Sequence, residues 1–214
     1  METKIDENYL KGTTTVGILC KDGIVLAADK RATAGTLIVN KKTDKIYEIS
    51  NNMVITMAGT VSDAQLLSKL IKAELQLKKL RTGREPNVKE SANLLAGMVY
   101  ANIRRMSLIP GISHFLLGGR DDSGYYLYDI FADGSLTQCD EFVCSGSGSV
   151  FAYGVLETLY NPNIVVNEGV DLAIKAMNAA LQRDSASGNG FSVVTITSRG
   201  ITRIVDKNLD MKLK

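Results

Sequence analysis

The sequence is poor in the residues that bind metals and form disulfides. Its 214 residues include three cysteines, one histidine and no tryptophan. Cys20, Cys139 and Cys144 form no CxxC pair, and a four-ligand zinc site would need all three together with His114. We therefore expect neither a metal nor a cofactor. An odd number of cysteines in an otherwise ordinary composition is typical of reduced thiols, which predicts a cytoplasmic protein.

Long apolar runs and a charge excess are also absent. No apolar run reaches the roughly 20 residues that a helix needs to cross a bilayer, and the first residues do not resemble a signal peptide. Lys and Arg number 25 against 23 Asp and Glu, whereas a domain that binds nucleic acid normally has a clear basic excess. We expect no membrane and no nucleic-acid partner. Hydrophobic residues at 45% predict one packed domain instead.

Hydrophobic periodicity predicts strands and helices in alternating groups. The order is five strands, two helices, three strands, two helices and two strands. The first helix is predicted to begin at Ser62, and the second to be capped by Asn87 and to bury Met106. A single strand is predicted over 135–143. Hairpin-linked strands between paired helices predict an α+β fold of antiparallel sheets covered by helices.

A glycine followed by three threonines, Gly12 to Thr15, stands where a polar leader meets the first predicted strand. If the bond between Gly12 and Thr13 is cut, Thr13 carries both a hydroxyl and a free α-amine, whose reference pKa is about 7.7–8.0. That amine can act as the base for the hydroxyl, so this chemistry needs no histidine. An ordinary β-branched strand explains the same residues equally well.

Other nucleophilic chemistry would depend on His114. A Ser-His-Asp triad or a Cys–His pair would have to use it, but His114 lies in a predicted strand over 112–117, where a structural histidine is more common. The cysteines lie in similar apolar settings, which is typical of inert buried thiols. The glycine-rich run from Ser145 to Ser149 precedes a helix and has the composition of an anion site, although a tight turn explains it as well.

Several separated motifs follow one another along nearly the whole chain. They are Gly12-Thr-Thr-Thr-Val-Gly17, Ala28-Asp-Lys-Arg31, Asp44-Lys-Ile-Tyr47, Met57-Ala-Gly-Thr60 with Asp63-Ala-Gln65, Ser145-Gly-Ser-Gly148 with Tyr153-Gly154, and Gln182-Arg-Asp-Ser-Ala-Ser-Gly188. Together they resemble the catalytic β subunits of archaeal-type 20S proteasomes, which are N-terminal nucleophile hydrolases. The resemblance implies a four-layer αββα sandwich, in which two antiparallel sheets are flanked by helix pairs.

The resemblance also implies a threonine peptidase. Thr13 matches the nucleophile, and residues 1–12 match a propeptide that is removed by self-cleavage between Gly12 and Thr13, leaving residues 13–214. Lys45 matches a lysine that lowers the proton affinity of the hydroxyl, and Asp29 matches the partner of that lysine. Further catalytic positions, for the group around the α-amine and for the oxyanion donor, match Ser147, Asp184, Ser187 and the backbone N–H of Gly59.

The resemblance places a substrate pocket before the cleaved bond. Its lining matches Ala32, Thr33, Thr43, Tyr47, Met57 and Val61. Met57 at its base favours apolar side chains, because a charged side chain would lose its water there without gaining a partner. We therefore expect cleavage after hydrophobic residues.

Partners follow from the resemblance too. It implies homo-heptameric β rings stacked with α-subunit rings, a regulatory ATPase that unfolds substrates, and unfolded polypeptides as substrates. Two alternatives remain at this point. The chain is a non-catalytic structural ring subunit, or it is a different N-terminal nucleophile amidase that acts on small amides.

Overall fold

The computed structural model describes residues 12–108 and 110–209. The first half of this part of the chain forms β1 (Thr15–Cys20), β2 (Gly23–Asp29), β3 (Ala32–Ala34), β4 (Leu37–Asn40), β5 (Ile46–Ser50), β6 (Met53–Gly59), α1 (Val61–Thr82) and α2 (Val88–Ile103). The second half forms β7 (Ser113–Asp121), β8 (Gly124–Ile130), β9 (Leu136–Cys139), β10 (Phe142–Ser145), α3 (Ser149–Leu159), α4 (Val166–Arg183), β11 (Gly190–Thr197) and β12 (Gly200–Asn208). The predicted alternation is present, with β3 and β10 as additional strands.

The strands form two antiparallel five-stranded sheets within the described residues. The first has the order β10-β1-β2-β11-β12, and the second has the order β5-β6-β7-β8-β9. A small hairpin of β3 and β4 stands apart from both. Each sheet therefore combines strands that are distant in sequence, as in the pairing of β2 with β11.

Three separate apolar cores show how the layers are stacked. One core lies between the sheets and contains Leu26 from β2 and Leu116 from β7. A second joins the first sheet to α3 and α4, and a third joins the second sheet to α1 and α2. Because each sheet buries one face against the other sheet and one against helices, the order of layers is helix, sheet, sheet, helix. The predicted α+β four-layer sandwich is confirmed.

The predicted strand over 135–143 is wrong. The chain forms two short strands there, and they belong to different sheets: β9 pairs with β8, whereas β10 pairs with β1. The backbone N–H of Leu19 donates to the carbonyl of Glu141 at 2.7 Å, where the chain crosses between the sheets. Residues 135–143 contain no glycine or proline that would mark this crossing, and both sheets bury the same side-chain types.

Two helix boundaries also differ from the prediction. Helix α1 begins at Val61 after Thr60, one residue before the predicted start at Ser62. Helix α2 has the predicted capping box at Asn87 but ends at Ile103, so Met106 is fully exposed rather than buried. The helix stops early because the chain turns there, with the backbone N–H of Arg105 donating to Asn102 O at 3.2 Å.

The fold brings four chain segments to one end of the two sheets. In the register of β1 with β2, Thr15 lies opposite Ala28, which places the residues before β1 beside Asp29. Lys45 immediately precedes β5 in the other sheet, and its carbonyl accepts from Met57 N at 2.9 Å. The loop between β10 and α3 and the loop after α4 complete the surroundings of Thr13.

Candidate active site

Thr13 lies buried just before β1, with its hydroxyl held between two groups. Its Oγ1 donates to the carbonyl oxygen of Gly12 at 2.6 Å and accepts from Lys45 Nζ at 3.0 Å. The side of Gly12 is closed, because a Cβ on this glycine would lie 1.8 Å from Ala186 Cβ and 2.6 Å from the backbone of Ala186. The hydroxyl therefore touches the carbonyl of the peptide bond that joins Gly12 to Thr13.

Lys45 and Asp29 form a buried ion pair. Lys45 Nζ lies 2.6 Å from Asp29 Oδ1, and the two side chains are 1% and 0% exposed. Asp29 also accepts from the backbone N–H groups of Thr14, Arg31 and Gly188, each at 3.0 Å. This carboxylate is therefore fixed by the backbone of three segments, whereas the ammonium of Lys45 has Asp29 and Thr13 as partners.

Burial sets the proton affinity of Lys45. Loss of water around the ammonium lowers the pKa of Lys45, and this effect outweighs the negative charge of Asp29, which acts to raise it. Arg31 contributes a further lowering through repulsion of like charges. A lysine in this state can both polarise the hydroxyl as a cation and accept a proton closer to neutral pH than an exposed lysine.

A second polar group lies around the nitrogen of Thr13. Thr13 N–H donates to Ser147 Oγ at 3.3 Å, and Ser147 Oγ donates to Asp184 Oδ2 at 2.6 Å. Ser187 donates to the same carboxylate oxygen at 2.6 Å. Asp184 is the C-terminal cap of α4. The end of that helix and the loop before α3 therefore meet at the backbone nitrogen of Thr13, which cleavage would convert to an α-amine.

The glycine-rich run before α3 wraps around Thr13. Gly148 N–H donates to the carbonyl of Thr13 at 3.3 Å, and a Cβ on Gly146 would lie 2.0 Å from that same oxygen. Gly148 has a further contact, since a Cβ there would lie 2.0 Å from Thr14 Oγ1. These glycines therefore allow backbone to approach Thr13 and Thr14 more closely than any side chain would permit.

Gly59 lies at the end of β6 with a φ of +108°. A Cβ at this position would lie 2.3 Å from the carbonyl oxygen of Ile112, so both the conformation and the space require glycine. Gly59 shares the wall of a cavity with Ser147. Gly59 therefore lies on the same cavity wall as a residue that contacts Thr13, and its role as the oxyanion donor stays a prediction.

The six predicted pocket residues fall into three groups. Thr33 contacts the residue before the bond, since Gly12 N–H donates to Thr33 Oγ1 at 3.4 Å. Met57 is buried in the core beneath α1 and α2, with Tyr47 and Val61 packed against that core. The remaining two, Ala32 and Thr43, are buried, and Thr43 Oγ1 lacks a hydrogen-bond partner.

His114 does not reach a nucleophile. Its Nε2 pairs with Asp129, and its ring packs edge-on against Phe131 with 4.9 Å between centroids. Across residues 12–108 and 110–209, no hydrogen bond joins this imidazole to a serine or a cysteine. Burial raises the pKa of all three thiols, to about 12 for Cys20 and about 11 for Cys139. The thiolates that a Cys–His pair would need are therefore disfavoured.

Sequence reasoning missed two contacts of the site. Thr14 Oγ1 lies 2.7 Å from Ser187 Oγ, so the second threonine of the run links the two polar groups. Ala186 closes the space beside Gly12. Thr14 stood next to the predicted nucleophile and Ala186 between two predicted site residues, but only the fold shows that the loop after α4 lies against the residues before β1.

Comparison with known proteins identifies the family. The model of the proteasome subunit family matches residues 9–196. The curated proteasome subunit beta of Methanothermobacter thermautotrophicus is 41% identical over 210 residues, which is 98% of each chain. That of Archaeoglobus profundus is 42% identical over 97% of this chain and 94% of the relative, and that of Archaeoglobus fulgidus is 44% identical over 90% and 89%.

The chain belongs to the proteasome subunit family. The β-subunit resemblance and the core peptidase function predicted from the sequence are therefore confirmed. No described helix is both long and apolar enough to span a bilayer. In the same part of the chain, no three His, Cys, Asp or Glu side chains are grouped as a metal would need. The roles of individual residues stay predictions.

Proposed function

We propose that this protein is a threonine endopeptidase of the 20S proteasome core, which degrades unfolded proteins to short peptides with Thr13 as its nucleophile. The observation that carries the proposal is the position of Thr13 Oγ1 between Lys45 Nζ at 3.0 Å and the carbonyl oxygen of Gly12 at 2.6 Å. A hydroxyl that is polarised by a buried ammonium and touches a peptide carbonyl has both requirements of a nucleophile.

The first reaction is self-cleavage. Thr13 Oγ attacks the carbonyl carbon of Gly12, its proton passes to the neutral amine of Lys45, and the bond from that carbon to Thr13 N breaks as the nitrogen gains a proton. Water then hydrolyses the resulting ester, which releases residues 1–12 and leaves 13–214 as the active domain. Residues 1–11 lie outside the described residues, so this boundary rests on the site around Gly12.

The second reaction is peptide hydrolysis. Once Thr13 N is a free amine, it can accept the proton of its own hydroxyl and return it to the leaving nitrogen. The carboxylate of Asp184, acting through Ser147 and with Ser187 beside it, would hold that amine in position. Gly59 N–H would bind the oxyanion, and one such donor contributes roughly 3 kcal/mol to lowering a barrier.

Substrate preference follows from the residues before the bond. The proposed pocket holds the side chain that precedes the cleaved bond, and Met57 at its base is 1% exposed. An apolar wall of this kind favours cleavage after hydrophobic residues, since a charged guest would be desolvated without a partner.

Assembly completes the proposal. The chain would form seven-membered β rings stacked with α-subunit rings and would act in the cytoplasm with an ATPase that unfolds substrates. The archaeal relatives that support this are named as proteasome β subunits. Enclosure in rings would limit Thr13 to polypeptides that are already unfolded.

The decisive experiment measures the intact mass of the assembled protein with and without an electrophilic peptide aldehyde. We expect loss of residues 1–12 and modification at Thr13 in the wild type. Thr13→Ala should keep the leader and lose all hydrolysis, whereas Thr13→Ser should retain part of both. A Thr13→Ala protein that removes its leader in isolation would contradict self-cleavage.

The two alternatives give different results in the same samples. A structural ring subunit would keep residues 1–12 in assembled particles and would not react with the aldehyde. An amidase for small amides would be active as an isolated subunit, without rings. The complete set of Thr13, Asp29 and Lys45 in hydrogen-bonded contact favours the peptidase over the structural subunit.

A further inference from the structure

A cavity of about 370 Å³ adjoins the nucleophile, and the proposed function does not use it. Gly146 and Ser147, which both contact Thr13, form part of its wall together with Gly59. The cavity extends from there over the start of β7 and the turn after β8, and its other lining residues are Ala58, Ile112, His114, Phe131, Ala132, Cys144, Ser145 and Ser149. Its volume is that of a site for a small ligand or for one or two side chains.

This cavity lies away from the acyl side of the cleaved bond. The chain before Thr13 passes Thr33, which accepts from Gly12 N–H, and Ala186, which packs against Gly12. Neither residue lines the cavity, and none of the six predicted pocket residues does so. The cavity therefore belongs to a different part of the substrate path from the pocket for the residue before the bond.

The position of Thr13 N indicates which part of a substrate reaches the cavity. In the proposed mechanism this nitrogen returns a proton to the leaving amine, so the leaving segment must lie within hydrogen-bond distance of it. Ser147 accepts from Thr13 N–H and also lines the cavity. The first residue of the leaving segment thus begins at the mouth of the cavity.

The lining favours an uncharged side chain. Ile112, Phe131 and Cys144 contribute apolar walls. Two serine hydroxyls of the lining already have partners: Ser145 Oγ pairs with Thr15 Oγ1 at 2.9 Å, and Ser147 Oγ donates to Asp184.

His114 adds no free charge to these walls. Asp129 pairs with its ring nitrogen, and Phe131 packs against the ring edge. A charged guest would thus lose water without gaining a partner.

We propose that this cavity binds the side chain of the residue immediately after the cleaved bond and selects large aliphatic or aromatic side chains there. This inference rests on the proposed function, because it assigns the leaving side of the same reaction. It makes Phe131 and Ile112 specificity-determining residues, in addition to the pocket that precedes the bond.

The test uses the assembled, processed protein and internally quenched peptides with one constant acyl-side sequence. The residue after the bond is Phe, Leu, Gly or Asp, and mass spectrometry confirms the bond that is cut. We expect kcat/KM for Phe and Leu to exceed that for Asp by about tenfold or more, as burial of apolar groups in a pocket allows. Equal values for Phe, Leu, Gly and Asp would overturn the inference.

Variants at the cavity wall then separate a binding role from a general defect. Phe131 is 52% exposed, so Phe131→Ala is compatible with folding of the subunit, and assembly of each variant is checked by its elution volume before the assay. We expect it to lower kcat/KM for the Phe peptide about fivefold, to leave the Gly peptide within twofold, and to leave inhibition by a peptide aldehyde unchanged, because an aldehyde has no leaving residue. Phe131→Leu is the matched control that keeps an apolar wall.

A variant that fills the cavity instead of enlarging it gives a second test. Ala132→Phe narrows the exposed rim and should lower cleavage of the Phe and Leu peptides while sparing the Gly peptide. Equal losses for all peptides in both variants would overturn the inference while leaving the proposed function intact. Failure of the aldehyde to modify Thr13 would instead remove the proposed function and this inference with it.

Discussion

The two polar groups that flank Thr13 differ in how completely they exclude water. On the hydroxyl side, the side chains of Lys45 and Asp29 are 1% and 0% exposed. On the nitrogen side, Ser147 is exposed and Asp184 is half-buried. A charge in the first group has no solvent to replace a lost partner, whereas water can enter the second group when a side chain is removed.

This difference indicates which contacts the folded state needs for its stability. In the buried group, each ion is stabilised by a fixed partner, and removing one member of a buried pair typically destabilises a protein by about 3–5 kcal/mol. On the nitrogen side Ser187 is buried, but the exposed hydroxyl of Ser147 contributes only about 1 kcal/mol, because water can replace its hydrogen bond. Substitutions on the hydroxyl side of Thr13 should therefore have large effects, and substitutions on its nitrogen side should have smaller ones.

The largest effect is expected at the buried pair. Asp29→Ala leaves the Lys45 ammonium and three backbone N–H groups without their acceptor, so we expect a loss of both hydrolysis and stability, by about 3–5 kcal/mol. Lys45→Met leaves Asp29 bonded to those N–H groups and should abolish hydrolysis with a much smaller loss of stability. Thermal denaturation and peptide hydrolysis of matched preparations measure both. Equal destabilisation by the two substitutions would contradict this account.

The next effect concerns the residue before the bond. Gly12→Ala forces a Cβ against Ala186, whose backbone lies only 2.6 Å from it, so the loop that carries Asp184 must shift. We expect self-cleavage to slow at least about 100-fold by intact mass, in line with the effect of small displacements on rate. Hydrolysis by any processed molecules should be normal, because they no longer contain residue 12. Gly97→Ala, where a Cβ meets open space, is the control and should process normally.

A smaller effect is expected on the nitrogen side. Ser147→Ala removes the acceptor of Thr13 N–H but leaves Asp184 bonded to Ser187, and water can occupy the exposed position. We expect kcat to fall about tenfold with little change in stability. Asp184→Asn should lower kcat further, because both serines lose a charged acceptor. Timed peptide-hydrolysis assays on assembled samples give kcat for both variants. If Ser147→Ala lowers the melting temperature as much as Asp29→Ala does, the hydroxyl and nitrogen sides of Thr13 do not differ in this way.

The subtlest expected difference is in pH dependence. Burial lowers the pKa of Lys45, so hydrolysis that needs its positive charge should decline with rising pH before an exposed lysine would titrate. Below that range, hydrolysis should increase with rising pH as the α-amine of Thr13 loses its proton. Self-cleavage has no free α-amine and should show only an increase as Lys45 becomes neutral. Identical pH–rate profiles for the two reactions would mean that they share one base.

Local patterns were sufficient for much of this molecule. The capping residues of α2 and the apolar stripes of the helices are visible in the sequence, and the threonine run at Thr13 is where we predict the nucleophile. The strand over 135–143 and the burial of Met106 were predicted wrongly. Both errors occur where a strand or helix ends and the chain continues to a distant part of the fold. Neither hairpin patterns nor helical periodicity predicts where such an element ends.

The sequence by itself determined which side chains are available and which faces of the strands and helices are apolar, because these depend on neighbouring residues. Only the tertiary structure decided that β1 lies between β2 and β10, and that the loop after α4 touches Gly12. The contacts of β1 with β10 and of Gly12 with Ala186 join residues more than a hundred positions apart, and their stability depends on the packing of all four layers together. The close approach of Gly146 and Ala186 to the residues around Thr13, and the cavity beside it, exist only in that packed state.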